Sequence, residues 1–125
     1  MEEIIISFEK SLKRLEEILG QEESETIRDA AIQRFEFTIE LAWKLAQKFL
    51  KSEEIICRSP KECLKEAFKF GLIKDDPRWF EMLSDRNLTV HAYDEETAKE
   101  IYKRLPNYLE VLKDLLGGLR KNGRE

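Results

Sequence analysis

The residues best suited to chemistry lie in one stretch of eight, from Arg86 to Tyr93. This stretch holds His91, the only histidine of the 125 residues, with an arginine five positions before it and a tyrosine two positions after it. Arginine stays charged at working pH and presents a planar set of donors that fits phosphate oxygens. Histidine exchanges protons near neutral pH. Together the two predict attack on a phosphodiester. A plainer interpretation stays open, in which a helix-end histidine caps carbonyl groups and Tyr93 packs its ring.

The spacing of these residues indicates where the histidine lies. Along a continuous helix, five residues advance roughly 500°, which leaves Arg86 and His91 about 140° apart around the axis. The two side chains would then not share a face. We therefore expect the helix to end at His91 and the chain to fold back toward Arg86. Asp94-Glu95-Glu96 resembles the N-cap and acidic first turn of another helix, so residues 91–93 are predicted to form a short hinge.

The surrounding chain has apolar residues at helical spacing. Alternating steps of three and four residues predict a first helix that ends at Gly20. Its apolar face consists of Ile5, Phe8, Leu12, Leu15 and Leu19. A second, longer helix is predicted from Ser24 or Thr26 to Lys51. Because this helix is apolar on several sides, we expect it to lie centrally or to be shared with a partner subunit.

Residues typical of helix termini mark the ends of two shorter helices. Ser59-Pro60-Lys61-Glu62 is a capping box with proline at the first helical position, and it predicts a third helix that ends at Gly71. Asp76-Pro77 opens a fourth helix, which carries Trp79 and delivers Arg86. The fourth helix therefore has to position the arginine.

A fifth helix is predicted to start after Asp94 and to run to about Leu116. Pro106 should kink or break it, and Gly117-Gly118 should end it. We expect residues 1–125 to form a single helical domain, with a frayed tail from about 118 to 125. Short connections between amphipathic helices predict an all-α, antiparallel up-and-down bundle of about five helices with a four-helix core.

Composition limits the class of protein. A net charge of −4 and a pI near 5.3 argue against a general nucleic-acid coat protein, although a local basic patch remains compatible. No apolar run approaches the roughly 18 residues that span a membrane. The acidic start, Met1-Glu2-Glu3, lacks the features of a signal peptide. These observations predict a soluble, cytoplasmic protein without a membrane partner.

The cysteines suggest neither a metal site nor a redox motif. Cys57 and Cys63 are six residues apart, a spacing that fits no common metal or redox pattern. With one histidine and two cysteines, a structural zinc site within one chain is not expected. We predict two reduced thiols, no metal and no cofactor.

Arg-x4-His-x-Tyr, read here as Arg86, His91 and Tyr93, resembles the signature of the HEPN superfamily in its HepT-like branch. Members of this branch are also described as nucleotidyltransferase substrate-binding proteins. The resemblance covers nearly the whole chain. Phe35–Lys44 is similar to the family's second helix, Ser59–Ile73 to its third, and Trp79–Thr89 leads directly into the motif.

This resemblance implies a metal-independent endoribonuclease toxin. His91 would act as general acid or base, Arg86 would stabilise charge on the phosphate, and Asn87 would orient the phosphate or His91. RNA cleavage of this kind needs both an acid and a base, and one histidine does not easily serve as both. The resemblance implies a homodimer with the motif at the subunit interface, which would supply two histidines to one cleft.

The resemblance also implies a partner. HepT-like toxins are paired with a small nucleotidyltransferase antitoxin that attaches adenylate to the motif tyrosine, here Tyr93. Added phosphate beside His91 would repel the substrate. Without the resemblance, the residues favour a tyrosine that only packs its ring. The alternative function is a non-catalytic subunit that binds a nucleotide or another substrate for the transferase, with Arg86 and His91 holding phosphate without cutting it.

Two further surfaces are candidates. Glu36, Glu40, Trp43 and Gln47 follow one face of the second helix and could line the cleft, or they could form an ordinary solvated face with one partly buried tryptophan. The predicted third helix carries a basic stripe, which could follow RNA phosphates but is also typical of a solvated face. The stripe consists of Lys61, Lys65 and Lys69, with Arg58 just before it.

Overall fold

The computed structural model describes residues 1–122, which form a bundle of five α-helices. Their bounds are Glu2–Leu19 (α1), Glu25–Ser52 (α2), Pro60–Phe70 (α3), Arg78–Leu88 (α4) and Glu95–Asn122 (α5). A 3₁₀ turn, Thr89–His91, follows α4, and the chain contains no strand between residues 1 and 122. The predicted all-α bundle is confirmed. Over the same residues, no helix is long and apolar enough to cross a membrane.

Helix α2 lies at the centre and contacts each of the other four helices, as its apolar sides predicted. Two contacts between α1 and α2 show that these helices are antiparallel. Ser11 hydrogen-bonds Thr38 at 2.6 Å, while Arg34, earlier on α2, donates to the carbonyl of Arg14, later on α1. Helix α5 crosses α1 in the same opposed sense, because Glu16 pairs with Lys113 and an earlier residue, Glu9, pairs with Arg120.

The core is continuous through all five helices. Every predicted apolar position of α1 is buried except Leu19, which is half-buried while Ile18 packs inward. The largest fully buried side chains come from every helix: Phe8, Leu15, Phe35, Ile39, Leu45, Leu50, Leu64, Trp79, Met82, Ile101, Leu105 and Tyr108. Burial of this much apolar surface holds short helices such as α3 and α4, which would be marginal in isolation.

The predicted helix ends are confirmed where local chemistry sets them. The hydroxyl of Ser24 accepts from the backbone N–H of Ile27, and the hydroxyl of Ser59 accepts from Glu62. Gly71 ends α3 with a φ of 93°, a left-handed conformation that glycine adopts without a steric penalty.

Of the kink or break predicted at Pro106, the break is wrong. Helix α5 continues through Pro106 without interruption. Proline lacks one backbone donor, but Pro106 is on the exposed face, and its neighbours Leu105 and Tyr108 are anchored in the core. Tertiary packing on both sides of Pro106 outweighs the tendency of proline to break a helix.

The predicted stop at Gly117-Gly118 is also wrong. Helix α5 runs to Asn122, Leu119 is buried and Arg120 pairs with Glu9 at 2.8 Å, so residues 118–122 are not a frayed tail. Gly118 serves close packing, because a Cβ there would overlap the carbonyl oxygen of Leu72. Residues 123–125, the rest of the predicted tail, lie outside the described residues.

The prediction of two reduced thiols is wrong as well. Cys57 and Cys63 form a disulfide, and both cysteines are buried. The bond connects the loop after α2 to the first turns of α3. Their six-residue spacing did not indicate pairing, because the loop has to turn back on itself before the two side chains meet.

Candidate functional site

The end of α4 positions the candidate catalytic residues. Helix α4 passes directly into the 3₁₀ turn, where the hydroxyl of Thr89 donates to the carbonyl of Arg86 at 2.6 Å. Asp94 then caps α5 by accepting from the backbone and side chain of Thr97 at 3.1 and 2.8 Å. His91 therefore stands at a helix end in front of a new N-cap, as the spacing predicted.

Arg86 is held by a carboxylate from the central helix. Its Nε lies 2.6 Å from Oε1 of Glu40, whose other oxygen is 3.8 Å from Nζ of Lys44. The Arg86 side chain remains 41% exposed. A guanidinium held through Nε keeps its terminal nitrogens available for a phosphate oxygen. Glu40 thus fixes the orientation of the arginine without burying it.

Arg86 opens onto a cleft of about 400 Å³ between α2, the start of α3 and α4. Its lining residues are Glu40, Trp43, Ser59, Pro60, Lys61, Leu83, Ser84, Arg86 and Asn87. A volume of this size suits a nucleotide-sized group. Of the predicted cleft residues, Glu40 and Trp43 line it, whereas the half-buried Glu36 and Gln47 do not.

The predicted basic stripe is divided between two places. Lys61 lines the Arg86 cleft, but Lys65 and Lys69 line a separate apolar hollow beside Phe68 and Phe80. Lys69 also pairs with Glu66 at 3.4 Å. The three lysines do not form one continuous track toward Arg86.

The wall at the start of α3 is firmly fixed. The disulfide between Cys57 and Cys63 encloses the segment that contributes Ser59 to Lys61. Gln47 of α2 donates to the carbonyl of Cys57 at 2.9 Å. The backbone N–H of Arg58 donates to Glu62, which completes the capping interactions. The cleft is therefore bounded by pre-ordered backbone on this side.

A buried polar network beside Arg86 was missed by the sequence analysis. Asp85 is 5% exposed and accepts two hydrogen bonds from Arg104, at 2.8 and 2.7 Å, and one from Tyr108. Burial, followed by the bond to Asp85, raises the pKa of Tyr108, and the bond to Asp85 raises the pKa of Arg104. The available signal was an acidic residue following Trp79 and Met82 at three-residue steps, on the buried face of α4.

A second ion pair holds the other end of α4. Arg78 bonds Asp76 through Nε and Nη2, donates to the carbonyl of Asn107 at 3.0 Å and lies 3.5 Å from Glu110. The hydrogen bond from Arg78 lowers the pKa of Asp76. Since Arg78 and Asp85 both tie α4 to α5, the helix that carries Arg86 is fixed at both ends.

His91 and Tyr93 are exposed and close to one another. Their ring centroids are 6.1 Å apart in an edge-to-face arrangement, and Tyr93 is 86% exposed. Tyr93 borders a hollow of about 300 Å³ at the start of α2 and α5, together with Arg28. His91 is not among the residues that line the Arg86 cleft. A single protomer therefore does not close one pocket around both the arginine and the histidine.

The chain is similar to known proteins over most of its length. Residues 3–121 match the family model described as "Nucleotidyltransferase substrate binding protein like". A curated relative from Haemophilus influenzae, "Probable ribonuclease HepT", is 35% identical over 105 residues, which is 80% of this chain and 72% of the relative.

Two solved structures share the fold. A Thermus thermophilus protein is 42% identical with a TM-score of 0.84, and the match covers 90% of this chain and 98% of that protein. A tri-AMPylated HEPN toxin from Shewanella oneidensis, in complex with its MNT antitoxin, is 17% identical with a TM-score of 0.79, and the match covers 95% of both chains. At this lower identity the likeness concerns the fold.

Proposed function

Because the chain belongs to the HepT-like family of nucleotidyltransferase substrate binding proteins, we propose that it is a HEPN-type endoribonuclease toxin of a toxin–antitoxin pair. One observation carries the proposal. Arg86, held by Glu40, opens onto a nucleotide-sized cleft at the end of α4, and an exposed His91 and Tyr93 follow in the order Arg-x4-His-x-Tyr. The similarity to a probable ribonuclease supports the same function.

The proposed reaction is transesterification at phosphorus. A base removes the proton of the ribose 2′-OH, the 2′ oxygen attacks the phosphate, and the bond to the 5′ oxygen breaks. An acid donates a proton to that leaving oxygen, so the products are a 2′,3′-cyclic phosphate and a 5′-OH end. Arg86 stabilises the negative charge that builds on phosphorus, and the adjacent Asn87 orients the phosphate or His91.

The proposed active unit is a homodimer. Each chain has one histidine, and in one protomer His91 lies outside the lining of the Arg86 cleft. A two-fold dimer that brings two 3₁₀ turns together would place two histidines and two arginines on one RNA strand. One histidine then serves as base and the other as acid. Sedimentation should give twice the 14.8 kDa chain mass.

The proposed control is adenylation of Tyr93 by a small nucleotidyltransferase partner. The phenol oxygen would attack the α-phosphate of ATP and pyrophosphate would leave. Tyr93 fits this role because it is 86% exposed, yet only 6.1 Å separates its ring centroid from that of His91. The AMPylated state of the Shewanella toxin supports this choice of modification.

A second candidate function is a non-catalytic subunit that presents a nucleotide to the transferase. It is favoured by the description of the matching family and by the separation of His91 from the Arg86 cleft in one protomer. In this role Arg86, Lys61 and Trp43 would bind the nucleotide, and no bond in it would be cut.

An RNA cleavage assay tests the proposed function. Protein purified without adenylation should cut a mixed RNA pool in EDTA. His91→Ala and Arg86→Ala should each lower the rate by roughly 10²- to 10⁴-fold. Lys99→Ala, a change in an exposed lysine of α5, is the matched control and should cut like the parent. Equal cutting by all four proteins would assign the activity to a contaminant. A parent that binds nucleotide and never cuts would favour the presenting subunit.

A further inference from the structure

A second groove lies beside the Arg86 cleft, between α1 and α2. It encloses about 540 Å³. Its charged and aromatic lining residues are Lys10, Arg14, Arg34, Phe37, Glu40 and Lys44. The groove is not visible in the sequence, because its two walls come from different helices that meet only in the folded bundle.

The groove is basic in an acidic chain. Four cationic side chains and one carboxylate line it, although the whole chain carries a net charge of −4. Lys10 and Arg14 are exposed, and within residues 1–122 neither forms an ion pair with a carboxylate. Cations grouped in a concave surface attract an anionic ligand more strongly than the same cations spread over the surface.

The groove also presents an aromatic ring to solvent. Phe37 is 57% exposed, although most large apolar side chains of α2 are buried. It shares one helix face with Gln33 and Lys44, which also line the groove. An exposed ring between cations is the arrangement with which proteins bind single-stranded nucleic acid, because bases stack on the ring while phosphates meet the cations.

The groove leads to the candidate catalytic cleft. Glu40 lines both, and on the cleft side it holds Arg86 at 2.6 Å. On the groove side Lys44 is 3.8 Å from the same carboxylate. A strand bound along the groove would therefore meet Arg86 where the two surfaces join.

We propose that the α1–α2 groove binds the single-stranded part of an RNA and directs it to Arg86. Lys10, Arg14 and Arg34 hold phosphates, and one base stacks on Phe37. This inference rests on the proposed function, since it assigns further contacts to the same substrate.

A second copy of the chain fits the groove less well than RNA does. In a two-fold interface the same surface faces itself, so a groove lined by four cationic side chains and one carboxylate would meet the same excess of positive charge on the other copy. Such contacts are repulsive, whereas RNA phosphates neutralise the same charges.

RNA binding by His91→Ala protein tests the inference without cleavage. Fluorescence anisotropy of a labelled single-stranded RNA of mixed sequence, about 12 nucleotides long to span one groove, is measured across a potassium chloride series. Lys10→Gln combined with Arg14→Gln should reduce the slope of log affinity against log salt by about 1.4, since each lost phosphate contact contributes about 0.7. Lys103→Gln combined with Lys121→Gln removes the same charge from exposed positions of α5 and should leave the slope unchanged.

Phe37 gives an independent readout. Phe37→Ala should weaken RNA binding by roughly 5- to 150-fold at every salt concentration, and Phe37→Tyr should restore it. A parent that binds no RNA, or groove variants that bind like the parent, would overturn the inference. Conversion of a dimer into a monomer by the same variants would identify the groove as a subunit interface and also overturn it.

The experiments distinguish a failure of the groove assignment from a failure of the proposed function. If the parent cuts RNA while the groove variants bind normally, the groove assignment is wrong and the proposed function survives. If the parent binds RNA through the groove and never cuts it, the groove assignment stands and the nuclease activity is absent.

Discussion

At the scale of single residues, the geometry of Arg86, on which the proposed site depends, is set by Glu40. Glu40 is only half-buried, yet its carboxylate lies 2.6 Å from Arg86 Nε and sets the direction of the guanidinium. A phosphate that approaches Arg86 meets a group already oriented, and this pre-organisation is a main source of catalytic stabilisation.

Removing the charge of Glu40 should therefore impair catalysis more than folding. We expect Glu40→Gln to reduce RNA cleavage by roughly 10- to 100-fold, because a small displacement of a positioned group is enough for such a loss. The thermal midpoint should change little, since the pair is partly exposed. Glu36→Gln, on the same helix and outside the cleft lining, is the control. Equal losses in both variants would show a general effect of charge on α2.

Tyr93 allows a test of regulation by mass spectrometry. Incubation with the partner transferase and ATP should add one or more adenylates to the parent and abolish its RNA cleavage, because the added phosphate repels the substrate backbone. Tyr93→Phe keeps the ring and lacks the acceptor oxygen, so it should stay unmodified and active. Tyr102→Phe on α5 is the control. Adenylation of Tyr93→Phe at the parent's rate would place the modification on another residue.

At the scale of elements, α4 and α5 form the frame that holds the site. Arg78 at one end of α4 and Asp85 near the other bond residues of α5, so the 3₁₀ turn that carries His91 starts from a fixed position. Near its C-terminal end, helix α5 packs closely against the carbonyl group of Leu72, because Gly118 carries no side chain.

The two adjacent glycines of α5 should respond in opposite directions to alanine. Gly117→Ala meets no atom within 4 Å and should stabilise the fold by up to about 1 kcal/mol, the difference in helix propensity. Gly118→Ala overlaps the Leu72 carbonyl and should destabilise it, on the order of 1–3 kcal/mol. Urea unfolding measures both values. Equal stabilisation by the two substitutions would mean that α5 does not pack closely against Leu72.

The pair between Asp76 and Arg78 predicts a pH dependence. Because the hydrogen bond from Arg78 lowers the pKa of Asp76 in the folded state, the ionised carboxylate stabilises the fold above the unfolded pKa of about 3.9. This stabilisation is lost as the pH falls through the lower, folded value. Asp76→Asn should therefore be less stable than the parent at neutral pH, and the difference should shrink below about pH 4. Asp75→Asn, at the exposed neighbour, should follow the parent throughout.

Sequence reasoning succeeded where a structure depends on neighbours in the chain. Ser24, Ser59 and Gly71 set helix ends by local hydrogen bonds and backbone preference, and the hinge before Asp94 follows from cap chemistry. The motif residues themselves were visible because their types and spacing are unusual in an amphipathic helical chain.

Sequence reasoning failed where the structure depends on contacts between elements that are far apart in the chain. The continuity of α5 through Pro106 and Gly118 depends on packing against the core and on Leu72, and the pairing of Cys57 with Cys63 depends on the path of a loop. The ion pair between Glu40 and Arg86 joins α2 to α4, so sequence periodicity places both residues without showing that they touch.

At the scale of the whole molecule, we propose that two copies of the chain build one active site. Each protomer offers one arginine-lined cleft and one exposed histidine that does not line it. In the proposed dimer, two 3₁₀ turns that face each other would supply an acid and a base to the same phosphate, whereas the one histidine of a single chain does not easily serve as both. In this account a dimer with a single working histidine is inactive.

Subunit mixing tests this claim most directly. Parent and His91→Ala chains are unfolded together, refolded at a ratio of one to nine, and assayed for RNA cleavage in EDTA at constant total protein. If both histidines of a dimer are required, only parent homodimers cut, and activity should fall to about one hundredth of the undiluted parent value, because pairing is random. Activity near one tenth would show that each chain cuts with its own histidine and would contradict the shared site.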